Sequence, residues 1–278
     1  MSEQTLEFTF PARYYARALP GHARKSMTLG AANTALLLSQ TSNMGYPGVL
    51  NWRKDSPYAR TLALFEHVPR MRRIIDEYIV PLVALARGAG VQIIYAVSGW
   101  ESAAKYPQWQ AIDKRVGKPE QESIIKSPNQ AWMEEFEADV FMPGYGQAML
   151  ELRQVLDIAP PLAPHPKDWV VTNAGQAELL MNERGIWNVL CAGFDTPYDL
   201  RFSQNMRWRS PYRFFLLRDC TAGPERHDTI QGENLKNAAI TIMEMGVRSY
   251  SALGSDIRAA IRKGQAGSPG APPFPVGN

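Results

Sequence analysis

The sequence predicts an α/β protein, a three-layer α/β/α sandwich built on a mainly parallel sheet. Two patterns lead to that expectation. Short apolar runs such as 35–38, 91–97 and 187–192 are near-continuous rather than alternating, as in strands covered on both faces, and each gives way to polar or turn residues. Between them lie stretches with apolar residues at helical spacing, closed by Gly or Pro, so that strand and helix alternate along the chain. With 278 residues, 45% hydrophobic and 21% charged, the chain can bury one sizeable core, which excludes extended disorder or a collagen-like repeat over most of its length.

Residues 1–33 are expected to form an N-terminal arm. Phe8 and Phe10 alternate with polar neighbours, but Pro11, Pro20, Gly21 and Gly30 interrupt regular structure, so the arm packs on a neighbouring surface. The domain proper spans 34–263. Its first strand, Ala35–Leu38, delivers Ser39, Gln40, Thr41, Ser42 and Asn43 at its C-terminal end, and a loop with Tyr46, Trp52 and Tyr58 follows. Met71, Ile74, Ile75, Tyr78, Ile79, Leu82 and Leu85 predict a helix over Val68–Ala89, which Pro81 should kink. Strand Val91–Val97 runs into Ser98-Gly99-Trp100-Glu101, and 99–165 is a long insertion of short helices with Trp132, Phe136 and Phe141 available to pack. Strand Trp169–Thr172, helix Ala177–Arg184, strand Trp187–Ala192, helix Pro197–Arg209, strand Phe214–Arg218, helix Asn234–Met245 and the segment Ser255–Arg262 complete the pattern. The Gly- and Pro-rich stretch 264–278 is expected to be a flexible tail or an arm to another subunit.

Composition narrows the partners. Thirty Lys+Arg against 27 Asp+Glu leave a net charge of +3, too small a surplus to indicate nucleic acid or membrane. The arginines at 201, 207, 209, 213 and 218 are therefore expected on a solvated helix face and in intersubunit ion pairs, and Asp219, Glu225 and Asp228 either partner them or support the strand end and the loop that follows. The two cysteines, Cys191 and Cys220, fit neither a zinc spacing nor a disulfide framework, which suits a reducing, cytoplasmic compartment. No charged-then-apolar leader opens the chain, and no apolar run approaches the ~20 residues that span a bilayer. His22, His67, His165 and His227 are scattered, so neither a metal nor another cofactor is expected.

In an open parallel sheet, ligands bind beyond the carboxyl ends of the strands, which assembles a candidate site from Gln40, 98–101, Asn173 and 193–199. The segments 168–173, Leu190-Cys191-Ala192-Gly193-Phe194-Asp195-Thr196-Pro197-Tyr198-Asp199-Leu200 and Leu217-Arg218-Asp219-Cys220-Thr221-Ala222-Gly223-Pro224-Glu225 resemble, in order and spacing, the isochorismatase-like (cysteine hydrolase) superfamily. The likeness covers roughly residues 33–260 and includes the Pro-rich approach at 160–166. It implies a three-layer α/β/α fold, a dimer or tetramer, and hydrolysis of C–N bonds in small amides or ureido compounds. It also implies a triad of Asp, Lys and Cys. The Asp activates the thiol, the Lys tunes that pair, and backbone N–H groups at a helix start hold the oxyanion.

Matched position by position, the resemblance places the Asp on Gln40, the Lys on Asn173 and the Cys on Asp199, so all three differ. Cys191 falls inside a strand and Cys220 at another strand's end, and both are expected to be structural. Asp199, near a helix start, is then either a helix cap or a nucleophile or base, with Gln40 and Asn173 positioning substrate. Asp195 and Thr196 lie in the Gly-x-x-Thr turn, and Trp100, Glu101 and Tyr46, with Trp52, lie in loops over the pocket, each a loop anchor or a substrate contact. Two functions follow as alternatives. One is a hydrolase of a small polar molecule working without the thiol. The other is a catalytically inactive homologue that binds a small molecule or supports an active homologue in a hetero-oligomer.

Overall fold

The computed structural model describes residues 6–16, 18, 21–47, 67–97, 99–116, 135, 136, 138, 139, 145–196, 212–245 and 249–266. Among these residues eight strands form one sheet: β1 Glu7–Tyr15, β2 His22–Gly30, β3 Thr34–Ser39, β4 Gln92–Ala96, β5 Trp169–Val171, β6 Asn188–Phe194, β7 Arg213–Ala222 and β8 Ser249–Ala252. Their spatial order is β2-β1-β8-β7-β6-β3-β4-β5. The strands from β8 to β5 are parallel, and β1 runs antiparallel to both of its neighbours.

Side chains of the central strands alternate between two cores. Leu36, Leu38, Ile93, Tyr95, Leu190 and Phe194 face one, and Leu37, Ile94, Val189, Cys191 and Leu216 face the other. This is why the strands read as continuous apolar runs. Helices α1 His67–Ile74, α2 Val80–Gly88 and α7 Gly254–Ala266 cover the first face, and α5 Ala174–Glu183 and α6 Asn234–Met245 the second. Within the long insertion lie α3 Pro107–Val116 and α4 Tyr145–Val155, of which α3 packs Ile112 beside Trp169 and α4 packs Leu152 into the first core. The three-layer expectation holds.

The expected kink has a definite form. A widened helical turn, Ile75–Ile79, joins α1 to α2 immediately before Pro81. Proline supplies no N–H to the carbonyl four residues earlier, that of Glu77. Arg258 of α7 donates to that carbonyl from Nη1 at 3.3 Å, so the freed acceptor ties α7 to the helix it covers.

Several boundaries differ from those expected. Residues 7–30 are not an interrupted arm but a β-hairpin that extends the sheet. Phe8, Phe10 and Ala12 are fully buried beside Met27 and Leu29, and the Phe10 ring meets Phe215 edge-on at 5.5 Å. Pro11 is tolerated because it lies past the end of β8, where the ladder needs no N–H from it. β8 was not anticipated, being four residues with Ser249 and Ser251 at alternate positions. α5 begins three residues before the expected start because Asn173 caps it. β7 runs on to Ala222 through a bulge: Cys191 pairs with Leu216, but Gly193 pairs with Thr221. Phe136 is exposed, whereas Trp132, Phe141, the expected helix Pro197–Arg209 and residues 267–278 of the tail lie outside the described residues.

Candidate functional site

The sheet order fixes where a ligand crevice opens. From β3 the chain moves outward through β4 to β5, then returns to the other side of β3 with β6, β7 and β8. The order therefore reverses between β3 and β6, and the crevice of such a sheet lies beyond the C-terminal ends of those two strands. Gln40 follows β3 there, and Asp195 and Thr196 follow β6.

β3 and β6 meet unusually closely at this point. Ser39 and Gly193 are register partners, and a Cβ on Gly193 would sit 1.8 Å from the Ser39 carbonyl oxygen. Gly193 also has φ +130°, so the first residue of the Gly-x-x-Thr turn is confined to glycine by both space and backbone. Gln40 adopts φ +49°, a left-handed conformation uncommon for a residue with a side chain and concentrated at functional sites. Its backbone is held on both sides: its N–H donates to Ala96 O at 3.1 Å, and its carbonyl accepts from Ser42 N at 2.7 Å. The loop beyond is fixed by residues 157–159, through Asn43 N to Asp157 O at 2.9 Å and Ala159 N to Thr41 O at 2.9 Å.

On the β6 side a cis peptide joins Phe194 to Asp195. Thr196 is buried, with its Oγ1 2.8 Å from that of Thr221 and its N–H donating to Ala222 O at 3.0 Å, so the turn is bonded to β7. Asp195 sits between these anchors. Burial, and then the charge of Glu225, push its carboxyl up to about 7, and its Oδ1 is buried with no hydrogen-bond partner among the described residues.

Glu225 belongs to a layer of charge behind the crevice. Fully buried, it accepts from the backbone N–H of Lys236 at 2.9 Å and of Leu235 at 3.3 Å, capping the start of α6. Lys236 donates to Glu233 at 2.7 Å, and Glu233 also pairs with Arg70. Burial, and then Arg70, push the Lys236 ammonium down to about 8. Arg201, Arg207 and Arg209 lie outside the described residues, and what the structure gives Glu225 is support for the loop and helix that follow its strand. Asp219 likewise accepts from backbone, at Gly254 N and at Ser255 N, the latter at 3.0 Å. Both acids satisfy helix starts, whose N–H groups otherwise lack partners. Sequence reasoning missed this layer because Glu225 lies ten and eleven positions before the N–H groups it caps, too far for a local capping pattern.

The other expected site residues are dispersed. Asn173 is the N-cap of α5, its Oδ1 accepting from Gln176 N at 2.9 Å, and it stands at the end of β5, two strands from Gln40, about 10 Å across the sheet. Trp100 is packed in the core at 5% exposure, and Glu101 is exposed in the short helical turn Glu101–Lys105. Tyr46 donates to Asp76 at 2.6 Å under the Arg72 guanidinium, which fastens its loop to α1. Asp199, Trp52 and Ser98 lie outside the described residues. Cys191 and Cys220 are both fully buried, and burial followed by Asp219 pushes the Cys220 thiol up.

A cavity of about 740 Å³ opens at the opposite end of the sheet, beside the N-terminal ends of β4 and β5. Three of its charged residues are already paired, Arg87 with Asp168 and Arg115 with Glu183, and it shares no residue with the crevice. Among the described residues no group of three or more His, Cys, Asp and Glu is placed to hold a metal ion, and no helix is long and apolar enough to cross a membrane.

No protein-family model matches the chain, and no curated protein matches it significantly. Solved structures similar to it include a cysteine hydrolase from Pseudomonas syringae pv. phaseolicola 1448A, at 12% identity and TM-score 0.49, over 95% of this chain and 100% of that one. An isochorismatase-like hydrolase from Alkaliphilus metalliredigens is 13% identical at TM-score 0.47, over 82% and 98% of the two chains. An isochorismatase family protein from Desulfovibrio vulgaris subsp. vulgaris str. Hildenborough is 16% identical at TM-score 0.44, over 83% and 98%.

Proposed function

We propose that the crevice between β3 and β6 binds a small polar molecule of the amide or ureide class and cleaves its C–N bond with carboxylates in place of a thiol. The observation that supports this is Asp195: a largely buried carboxyl at the switch point of the sheet, pushed up to about 7 by burial and then by Glu225. An acid that is half-protonated near pH 7 is suited to give a proton to a leaving amine. Asp199, at the position where the resembled family keeps its cysteine, serves as the nucleophile or as the base for water. With Asp199 as base, water gives it a proton and adds to the carbonyl carbon; with Asp199 as nucleophile, its carboxylate adds instead and water later cleaves the acyl–carboxylate bond. In either case the C–N bond breaks and the amine departs with the proton of Asp195, which is restored from the water. Gln40 positions the substrate by hydrogen bonds and Thr196 fixes the turn that carries Asp195, while Asn173, Trp100, Glu101 and Tyr46 hold the surrounding elements rather than touch the substrate. The protein acts as a homo-oligomer, a dimer or tetramer.

One observation favours the alternative of a catalytically inactive subunit that binds a small molecule or partners an active homologue. The position matched to the triad lysine is Asn173, whose short side chain is occupied in capping α5. A panel of amides, ureides and vinyl ethers separates the two. Turnover that falls in both Asp199→Asn and Asp195→Asn, and in the wild type declines as pH rises through about 7, supports the hydrolase. Turnover unchanged in Asp199→Asn overturns that mechanism, and saturable binding without turnover establishes the alternative.

A further inference from the structure

β8 stops early. It is four residues long between two longer neighbours, and past Ala252 the sheet has a notch between β1 and β7. Register sets its walls. Arg13 is level with Ser251, so Pro11 comes level with Leu253, and Leu217 is level with Ala252, so Arg218 borders the same gap. A cavity of about 40 Å³ occupies it, lined by Pro11, Arg13, Arg24, Arg218, Leu253 and Asp256.

The charge there is unusual. Arg13 and Arg24 are direct cross-strand partners in the hairpin, a placement of like charges that destabilises a ladder. Arg218 adds a third guanidinium, half-buried and fixed by donating from Nη1 to Ser251 Oγ at 2.6 Å. Burial, and then Arg13, hold its pKa below the ordinary arginine value. Nearby carboxylates are largely committed to protein donors. Glu244, its side chain 1% exposed, accepts from Arg13 Nε at 2.8 Å, balancing one of the three cations, and from the Ser251 hydroxyl, with His22 Nε2 2.9 Å from its other oxygen, while Asp219 caps α7. Among the described residues Asp256 is the carboxylate that lines the notch.

We infer that Arg13, Arg24 and Arg218 form a binding site for one oxyanion, the phosphate or carboxylate group of a small molecule, in the notch beyond β8. Guanidinium groups present forked donors that match such oxygens, and a bound anion relieves the repulsion between the opposed arginines. The cavity has room for a single such group rather than a whole metabolite, so the remainder of the ligand projects past the exposed Arg24 toward solvent. β8 is two strands from β6, so this site stands apart from the proposed crevice and does not depend on it.

Thermal unfolding of the full chain in phosphate, acetate and chloride at equal ionic strength tests it. Phosphate or acetate at about ten times its dissociation constant should raise Tm by about 2–5 °C, with chloride giving no comparable rise. The larger of the two shifts identifies the group the site takes. Arg24→Gln, at an exposed position, should weaken binding about tenfold and remove most of the shift. An equal rise in chloride, no rise in either oxyanion, or a full rise retained in Arg24→Gln would each overturn the site.

Discussion

Gly193 of β6 rests against the backbone of Ser39 of β3, so closely that a single added carbon would overlap the Ser39 carbonyl oxygen at 1.8 Å. That contact joins the two strands whose ends form the crevice. Because the obstacle is central backbone rather than a movable side chain, and φ is +130°, Gly193→Ala must push β6 off β3. We expect a loss of about 3 kcal/mol or more, and loss of whatever binding the crevice supports. Urea denaturation of the variant within about 1 kcal/mol of the wild type would contradict the close approach.

Asp195 should leave a signature in the pH dependence of stability. Its folded pKa of about 7 lies above the ordinary value of 3.8, so between these limits the folded state binds more protons than the unfolded state. Stability from this group is therefore complete below pH 4 and is lost as pH rises toward 7. Asp195→Asn removes the titration, and its advantage over the wild type should grow from pH 5 to pH 8 to on the order of 3 kcal/mol. Glu225→Gln should lower the Asp195 pKa, since the Glu225 charge contributes to raising it. A stability difference that does not change with pH would show that the Asp195 carboxyl is not buried as described.

How much of this was legible in the sequence depended on distance along the chain. The strands β3, β4 and β6 were evident because both of their faces are buried, and the end of each named its polar residues, Gln40 and Asp195 among them. The hairpin was hidden by Pro11 and Gly21, which mark breaks in a local reading, although Pro11 pairs with Ser26 inside the ladder, past the end of β8, and Gly21 falls at the turn. β8 carries too few apolar residues to signal a strand, and its place is set by β7 and β1 on either side. The match to the triad makes Asn173 a substrate partner, whereas its Oδ1 accepts from Gln176 N three residues on, a helix-capping spacing that is itself local and legible. The charged layer of Glu225, Lys236, Glu233 and Arg70 joins residues from three parts of the chain, and no spacing announces it.

Thiol reagents supply a third test. Cys220 is fully buried against Gly254, where an added Cβ would lie 2.4 Å from the sulfur, and its thiol is pushed up by burial. Cys191 is buried in the opposite core. Iodoacetamide at pH 8 should therefore modify neither cysteine in the native protein and both in denaturant, leaving any turnover intact. Rapid stoichiometric labelling of the folded chain, followed by mass mapping, would put a reactive thiol back into consideration.

The clamp between Arg87 and Asp168 sets how firmly β5 joins the sheet. Asp168, its side chain 3% exposed, accepts from Arg87 Nη2 at 2.7 Å and Nε at 3.3 Å and from His165 N at 2.8 Å, just before the three-residue edge strand. The two partners are unequal, because Arg87 is about one-third exposed and can turn to water whereas the carboxylate cannot. Removing the guanidinium strands a buried charge, so Arg87→Ala should cost about 3 kcal/mol. Asp168→Asn keeps an acceptor for His165 N and leaves a solvated cation, so it should cost less, about 1–2 kcal/mol. Chemical denaturation of both variants decides the order. If Asp168→Asn proves the more damaging, the bond to the loop rather than the ion pair holds this edge, and hydrogen exchange at Trp169–Val171 should then quicken in that variant alone.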